Sequence, residues 1–131
     1  MKKLLFIALL IVGCSSKITY TYFGYSNIDN RLTAEASFDK IYLYIDITNE
    51  TSVPIFINYY LDKFEIIDIN GLVYVLDKSI SYYPNIDFIN PQQWIRYKFS
   101  DIPVEDENIS FIKVMLAGSK KNTIFLNPDP Q

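Results

Sequence analysis

The chain has 131 residues, with 12 basic and 15 acidic side chains and a formal net charge of −3. It contains no histidine and a single cysteine, which excludes Ser–His–Asp and Cys–His nucleophiles, histidine-based zinc sites and an internal disulfide. The acidic balance, without a basic cluster, argues against a nucleic-acid partner, and 50% hydrophobic residues predict one folded domain.

The first stretch has the pattern of a secretory signal. Two lysines, Lys2 and Lys3, precede an apolar run over residues 4–12 that ends at Gly13 and Cys14. A positive start, a short apolar core and a small-residue cleavage site define such a signal. A transmembrane helix needs about 20 apolar residues, so this run is too short to remain as a span.

The residues Ile11, Val12, Gly13 and Cys14 resemble the lipobox of bacterial lipoproteins. The resemblance implies cleavage before Cys14, a diacylglycerol on its sulfur and usually acylation of the freed amine. Residues 1–13 would be removed, and residues 14–16 would form the acylated tether. Two or more acyl chains give stable anchoring, whereas one is marginal. The alternatives are an uncleaved short anchor and an ordinary signal with an incidental cysteine.

This resemblance also implies a location in the cell envelope. Ser15 follows the cysteine, where an aspartate commonly retains lipoproteins at the inner membrane, so the outer membrane is favoured in a bacterium with two membranes. In a bacterium with one membrane, the domain would lie at the outer face of the plasma membrane.

The first half of the remaining chain alternates apolar and polar residues with a period of two, which is typical of strands. Predicted strands cover residues 18–25, 32–38, 41–48 and 53–60, separated by loops at 26–30, 39–40 and 49–52. In the third strand, Ile41, Leu43, Ile45 and Ile47 are expected to face the core. Pro54 is expected at the start of its strand or at a sheet edge, because it cannot donate a hydrogen bond.

The second half begins with a predicted hairpin. Residues 64–68 and 72–77 flank Asn70 and Gly71, and Asn-Gly favours a turn in which both residues take positive φ. A partial calcium loop is the alternative, but the later glutamate of such loops is missing. Irregular structure is predicted for residues 78–92. Further strands are predicted at 94–99, 112–116 and 123–126, before a Pro-rich tail that includes residues 128–131.

Three consecutive carboxylates, Glu105, Asp106 and Glu107, raise the possibility of acid–base chemistry. Paired carboxylates do such work when burial separates their pKa values. Because these three lie in a polar segment between Pro103 and Asn108, we favour a solvated loop. No catalytic, cofactor-binding or metal-binding residue is predicted.

Further motifs resemble the telokin-like, immunoglobulin-type sandwiches of bacterial lipoproteins. These motifs are the aliphatic strand ending in Asn49, the Asp-x-x-Gly hairpin at residues 68–71, and Asn90-Pro91-Gln92 before a strand that ends near Pro103. Gln92 departs from the glycine usual in that family. The resemblance covers roughly residues 32–117 and implies an all-β, immunoglobulin-like β-sandwich of about seven or eight strands. We assign this domain to residues 17–127.

Alternation places one aromatic and cationic set on a single outer face, if the strands 41–48 and 94–99 are neighbours. This possible binding face consists of Tyr42, Tyr44, Trp94, Arg96 and Lys98. It could hold a glycan or an anionic head group through stacking and charge-assisted hydrogen bonds. One alternative is that Arg96 stacks on the rings as an internal cation–π contact with no binding role. The other is that most of the 11 tyrosines simply cover the surface of the sheet.

The sequence therefore predicts a lipid-anchored envelope protein that acts as a non-catalytic binding or structural module. Its expected partners are the membrane, through the anchor, and a protein or glycan of unknown identity; nucleic acid is not expected. An accessory subunit of an envelope assembly complex is the alternative function. A small hydrolase that uses carboxylates is a third possibility, and it would need a carboxylate pair in a cleft.

Anchoring should depend on the sulfur of Cys14. We expect Cys14→Ser to remain unlipidated, because the acyl chain is attached to that thiol, and cells fed labelled fatty acid should show no label on the variant. Labelling of Cys14→Ser to the wild-type extent would contradict the lipoprotein hypothesis.

Overall fold

A computed structural model describes residues 21–26, 31–78, 81–82 and 84–129. The predicted signal, Cys14 and the tether lie outside these residues. Within them the fold is all-β, with no α-helix and 3₁₀ turns at Asp106–Asn108 and Lys120–Asn122. The strands are β1 Thr21–Tyr25, β2 Leu32–Phe38, β3 Leu43–Asn49, β4 Ile55–Phe56, β5 Lys63–Asp68, β6 Val73–Val75, β7 Ser81–Tyr82, β8 Phe88–Ile89, β9 Trp94–Phe99, β10 Ile109–Met115 and β11 Thr123–Asp129. In the described part of the chain, no helix is long and apolar enough to cross a bilayer.

Nine of these strands form one curled antiparallel sheet in the order β6-β5-β10-β11-β1-β2-β3-β9-β7, and β4 pairs with β8 in a separate ribbon. The curl brings distant strands face to face. The Phe64 ring on β5 lies 4.8 Å from the ring of Tyr97 and 4.9 Å from that of Phe99, both on β9. The core is the space between the two halves of the sheet.

Period-two alternation sorts the side chains of β3 as predicted. Leu43, Ile45 and Ile47 are buried completely, while the residues between them are partly exposed. Ile41, however, was expected to face the core and is 65% exposed. It precedes β3, in a turn where the Asp39 carboxylate accepts its N–H, so the alternation of the strand does not extend to it.

The segment 53–60 is not the full strand that its composition predicts; only Ile55–Phe56 is extended and paired. Asn58 turns the chain after residue 57, because its carbonyl accepts the N–H groups of Leu61 and Asp62 and its Oδ1 accepts those of Tyr60 and Leu61. The buried side chain of Asn49 fixes the beginning of the segment. Its Nδ2 donates to the carbonyls of Val53 and Ile89, both at 2.8 Å, and thereby holds the β4–β8 ribbon against the end of β3. A side-chain contact between segments 40 residues apart sets this local structure.

The hairpin between β5 and β6 is confirmed, but its turn differs from the predicted one. Gly71 has φ +86°, whereas Asn70 does not adopt positive φ. Gly71 donates to the Asp68 carbonyl at 3.0 Å, and the Asp68 side chain accepts the N–H groups of Asn70 and Leu72. This pattern fits a three-residue hairpin loop with a left-handed glycine. The Asp68 oxygens are used inside the turn.

The last strand is longer than predicted. The sequence favoured a strand over residues 123–126 followed by a tail, but β11 continues to Asp129. Its first half pairs with β10, and Asn127, Pro128 and Asp129 pair with Phe23, Tyr22 and Thr21 of β1. β11 therefore joins the two halves of the sheet.

The core position of β3 gives a matched pair of substitutions. Ile45→Asp should destabilise the fold by more than about 3 kcal/mol, because it buries a charge without a partner. Ile41→Asp adds the same charge at an exposed site and should cost less than about 0.5 kcal/mol. Denaturant unfolding of the full chain measures both values, and equal losses would contradict the inward orientation of β3.

Candidate functional site

The pairing of β3 with β9 brings the predicted outer-face residues together. In the antiparallel register, Tyr44 lies opposite Lys98, Asp46 opposite Arg96, and Thr48 opposite Trp94. The intervening pair of Ile45 and Tyr97 is fully buried. Tyr42, Tyr44, Trp94, Arg96 and Lys98 thus share the outward side of two adjacent strands, and we call these five residues the patch.

Arg96 is the centre of the patch. Its guanidinium carbon lies 4.8 Å from the centroid of the Tyr44 ring and 5.9 Å from that of Trp94. Its Nε and Nη2 donate to the two carboxylate oxygens of Asp46 at 2.7 and 2.9 Å. This bidentate pair raises the pKa of Arg96 and fixes the plane of the guanidinium. The cation therefore links two aromatic rings while a carboxylate holds it.

A second cation–ring contact extends the patch toward the start of β3. The Lys98 ammonium lies 4.1 Å from the centroid of the Tyr42 ring. The rings of Tyr42 and Tyr44 are 6.1 Å apart and tilted by 54°. The order in space is therefore Trp94, Arg96, Tyr44, Tyr42 and Lys98, a continuous row of contacts across the sheet.

Asp39 anchors the tyrosine end of this row. Its Oδ1 accepts the N–H groups of Ile41 and Tyr42 at 2.8 and 2.7 Å, and its Oδ2 accepts the Tyr44 hydroxyl at 2.8 Å. These hydrogen bonds, the two backbone ones foremost, hold the pKa of Asp39 below its usual value, and the charge of Lys98 adds to the effect. The bond to Asp39 raises the pKa of the Tyr44 hydroxyl.

The sequence pattern identified the five patch residues but missed the two carboxylates. Asp46 was expected on the outer face of its strand, yet its pairing with Arg96 follows only from the register between β3 and β9. Asp39 was assigned to a turn, and nothing in the local sequence links it to Tyr44. A prediction of the register between β3 and β9 would have identified Asp46 but not Asp39.

The acidic segment at residues 105–107 has the solvated character that we favoured. Glu105 and Glu107 are exposed, and Asp106 begins a short 3₁₀ turn at the protein surface. The three carboxylates do not share a buried cleft, so they lack the separation of environments that acid–base catalysis requires.

The β4–β8 ribbon presents a second group of exposed rings. Phe56 and Phe88 are 40% and 48% exposed with ring centroids 5.6 Å apart, and Tyr60 is 84% exposed. Residues 57–60 and 84–87 line a shallow depression of about 380 Å³ beside them. Sequence patterns did not predict this surface, because the region was expected to form one strand and one irregular segment.

The Asp39 carboxylate yields a pH-dependent prediction. Its folded-state pKa lies below 3.8, so the stability it contributes is present above its unfolded pKa and is lost as the pH falls through the folded value. Tyr44→Phe should raise the pKa of Asp39 but leave it below 3.8, because the two backbone donors remain. Tyr42→Phe keeps all three donors and serves as the control.

Carboxyl-carbon NMR titration measures this pKa directly. A wild-type pKa for Asp39 at or above 3.8, or equal values in wild type and Tyr44→Phe, would contradict the proposed hydrogen bonding.

Compared with protein-family models, curated proteins and solved structures, the chain matches none of them.

Proposed function

We propose that this chain is a lipid-anchored protein of the bacterial cell envelope whose β domain is a non-catalytic binding module. In this proposal the precursor is cleaved before Cys14, the lipid on that cysteine holds the domain at the membrane, and the patch contacts a protein or glycan partner. The lipobox-like residues 11–14 behind Lys2, Lys3 and the apolar run support the anchor. The outer membrane remains the favoured location in a bacterium with two membranes, because Ser15 follows the cysteine.

We infer an immunoglobulin-type sandwich for the domain, and the order of strand pairing supports this inference. Strands β2, β3, β9 and β7 are neighbours in the order of strands A, B, E and D, and β11, β10, β5 and β6 in the order of G, F, C and C′. β1 is an addition that bridges the strands equivalent to A and G.

A turn at the start of β9 agrees with the telokin-like resemblance. Gln93 donates to the Asn90 carbonyl at 3.0 Å, and Gln92 has φ +66°. Such a turn favours glycine at that position, which is the residue usual in the resembling family. Gln92 thus keeps the backbone conformation of the motif while it departs from the motif in residue type.

The position of the anchor would leave the patch accessible. Thr21, at the start of β1, shares a cross-strand row with Ser37, Tyr44 and Lys98, whereas Trp94 lies in the row at the other end of β1. Thr21 is seven positions after Cys14, and a chain of that length spans at most about 25 Å. The Lys98 end of the patch would therefore lie nearer the membrane, and the Trp94 end would lie farther into the surrounding space.

The observation that carries the binding role is the pre-arranged patch itself. Trp94 is 61% exposed, although it is the only tryptophan of the chain and among its largest apolar side chains. Its neighbours are fixed by the Arg96–Asp46 and Tyr44–Asp39 contacts. Stiff rings held before a partner arrives lose little conformational entropy on binding, which favours recognition.

The ribbon supports the alternative function, an accessory subunit of an envelope assembly. Phe56, Tyr60 and Phe88 form an exposed apolar surface, and surfaces of this kind mark protein contacts. In the binding module a partner covers the patch, whereas in the accessory subunit a partner covers the exposed rings at the ribbon.

Two double variants separate these functions. Tyr44→Ala with Trp94→Ala removes the two rings that flank Arg96, and we expect it to lower partner capture by about tenfold or more, as truncation of central aromatic contacts does. The readout is cross-linking in intact cells, followed by purification and mass spectrometry of the captured species.

Tyr60→Ala with Phe88→Ala removes two exposed rings on and near the ribbon and should retain capture of the same species. Circular dichroism checks that both variants remain folded. If capture survives loss of the patch rings and fails with the ribbon variant, the accessory-subunit function replaces the binding function of the patch.

A further inference from the structure

Carboxylates beside the patch compensate its two positive charges. Arg96 and Lys98 are its two cations, and Asp46 and Asp39 are the carboxylates beside them. Asp46 occupies two donors of the Arg96 fork at 2.7 and 2.9 Å. Lys98 is close enough to Asp39 for its charge to affect that carboxylate. Two positive and two negative groups leave this set of side chains without net charge, and Glu35, which is exposed opposite Asp46 on β2, adds a negative charge to the same face.

An anionic ligand would therefore meet an unfavourable site. Asp46 holds the Nε and Nη2 side of the guanidinium, so the phosphate or carboxylate of such a ligand would either contact the remaining N–H groups beside the Asp46 carboxylate or have to displace Asp46. Like charges at close range oppose binding, and breaking an ion pair costs most when one charge is left without a partner. From the sequence, the patch residues include two cations and no carboxylate, but in the fold carboxylates lie beside these cations.

The groups that remain available suit an uncharged ligand with flat apolar faces and hydroxyl groups. The exposed Trp94 ring offers a stacking surface, and the half-buried rings of Tyr42 and Tyr44 continue it. Thr48 lies opposite Trp94, and Thr33 lies beside Thr48 on β2, so hydroxyl groups border the rings. Sugar rings have apolar C–H faces and peripheral hydroxyls, which match stacking and hydrogen bonding of this kind.

The dimensions of the patch suit an extended chain of sugars better than a single one. Outward residues repeat every second position, so Trp94 and Lys98 are about 13 Å apart along β9. The row lies across two neighbouring strands.

We propose that the patch binds an uncharged glycan, and that Asp46 sets this preference by compensating the charge of Arg96 and placing a carboxylate beside it. This inference rests on the proposed binding function and names its ligand class. Asp46 acts in it as a specificity-determining residue that need not touch the ligand.

The single tryptophan makes the experiment direct, because all tryptophan emission of the chain comes from Trp94. The full chain, purified in an uncharged detergent without sugar groups, is titrated with the hexasaccharides of N-acetylglucosamine, β-glucose and α-glucose. A heparin hexasaccharide and hexagalacturonate are the anionic probes. We expect saturable changes in emission with at least one neutral probe, and at least about tenfold weaker binding of both anions.

Three variants test the role of each group. Tyr44→Ala should weaken neutral binding about fivefold or more, and Tyr60→Ala, which removes an exposed ring near the β4–β8 ribbon and outside the patch, should leave it unchanged. Asp46→Asn keeps the side-chain shape but frees the charge of Arg96, so it should raise the affinity for the anionic probes about fivefold or more. Thermal unfolding checks that each variant is folded.

Equal or tighter binding of the anionic probes by the wild type would overturn the inference while leaving the binding function of the patch intact. Failure of all three neutral probes would also overturn it. In that case, loss of cellular capture in the Tyr44 and Trp94 double variant would keep the proposed function with a protein as partner. Survival of capture in that variant would refute both. An unchanged anionic affinity in Asp46→Asn would remove Asp46 from the specificity argument.

Discussion

The register between β3 and β9 determines both the inside and the surface of this domain. Ile45 opposite Tyr97 contributes to the buried core, and the adjacent pair, Asp46 opposite Arg96, forms the centre of the patch. Because successive side chains of a strand point to opposite faces, a slip of one residue would bury Asp46 and expose Ile45. The stability of the core therefore fixes the positions of the patch residues, and the patch requires no separate scaffold.

Polar contacts at the ends of the strands hold this register. Asn49 is fully buried and bonds to the carbonyls of Val53 and Ile89, while its own backbone pairs with Gln92 and Gln93. Every polar group of that side chain is satisfied, as buried polar groups must be. Gln92 accepts a backbone conformation that costs an ordinary residue about 1–2 kcal/mol, which the surrounding bonds outweigh. The end of β3 is therefore specified by contacts between segments distant in sequence.

This division explains what the sequence could predict. Period-two alternation located β2, β3, β5 and β9, because burial of one face is a local signal. It failed for residues 53–60, where contacts of Asn49 and Asn58 fix the two ends of the segment, and for Asn127 to Asp129, which extend β11 only because β1 lies beside them. Ile41 has the right spacing and the wrong environment, since the Asp39 turn removes it from the strand. For the patch, alternation gave the shared face but not the carboxylates that neutralise it.

The two carboxylates, Asp39 and Asp46, order the patch although each of their contacts adds little to the stability of the fold. An exposed ion pair or cation–ring contact contributes only about 0.2–1 kcal/mol, so none of these contacts holds the domain together. Asp39, however, both turns the chain into β3 and orients Tyr44, and Asp46 fixes the guanidinium that lies between Tyr44 and Trp94. Each restricts a ring that would otherwise sample several rotamers. The contribution of these weak contacts is therefore to order a surface in advance, which lowers the entropy lost when a partner binds.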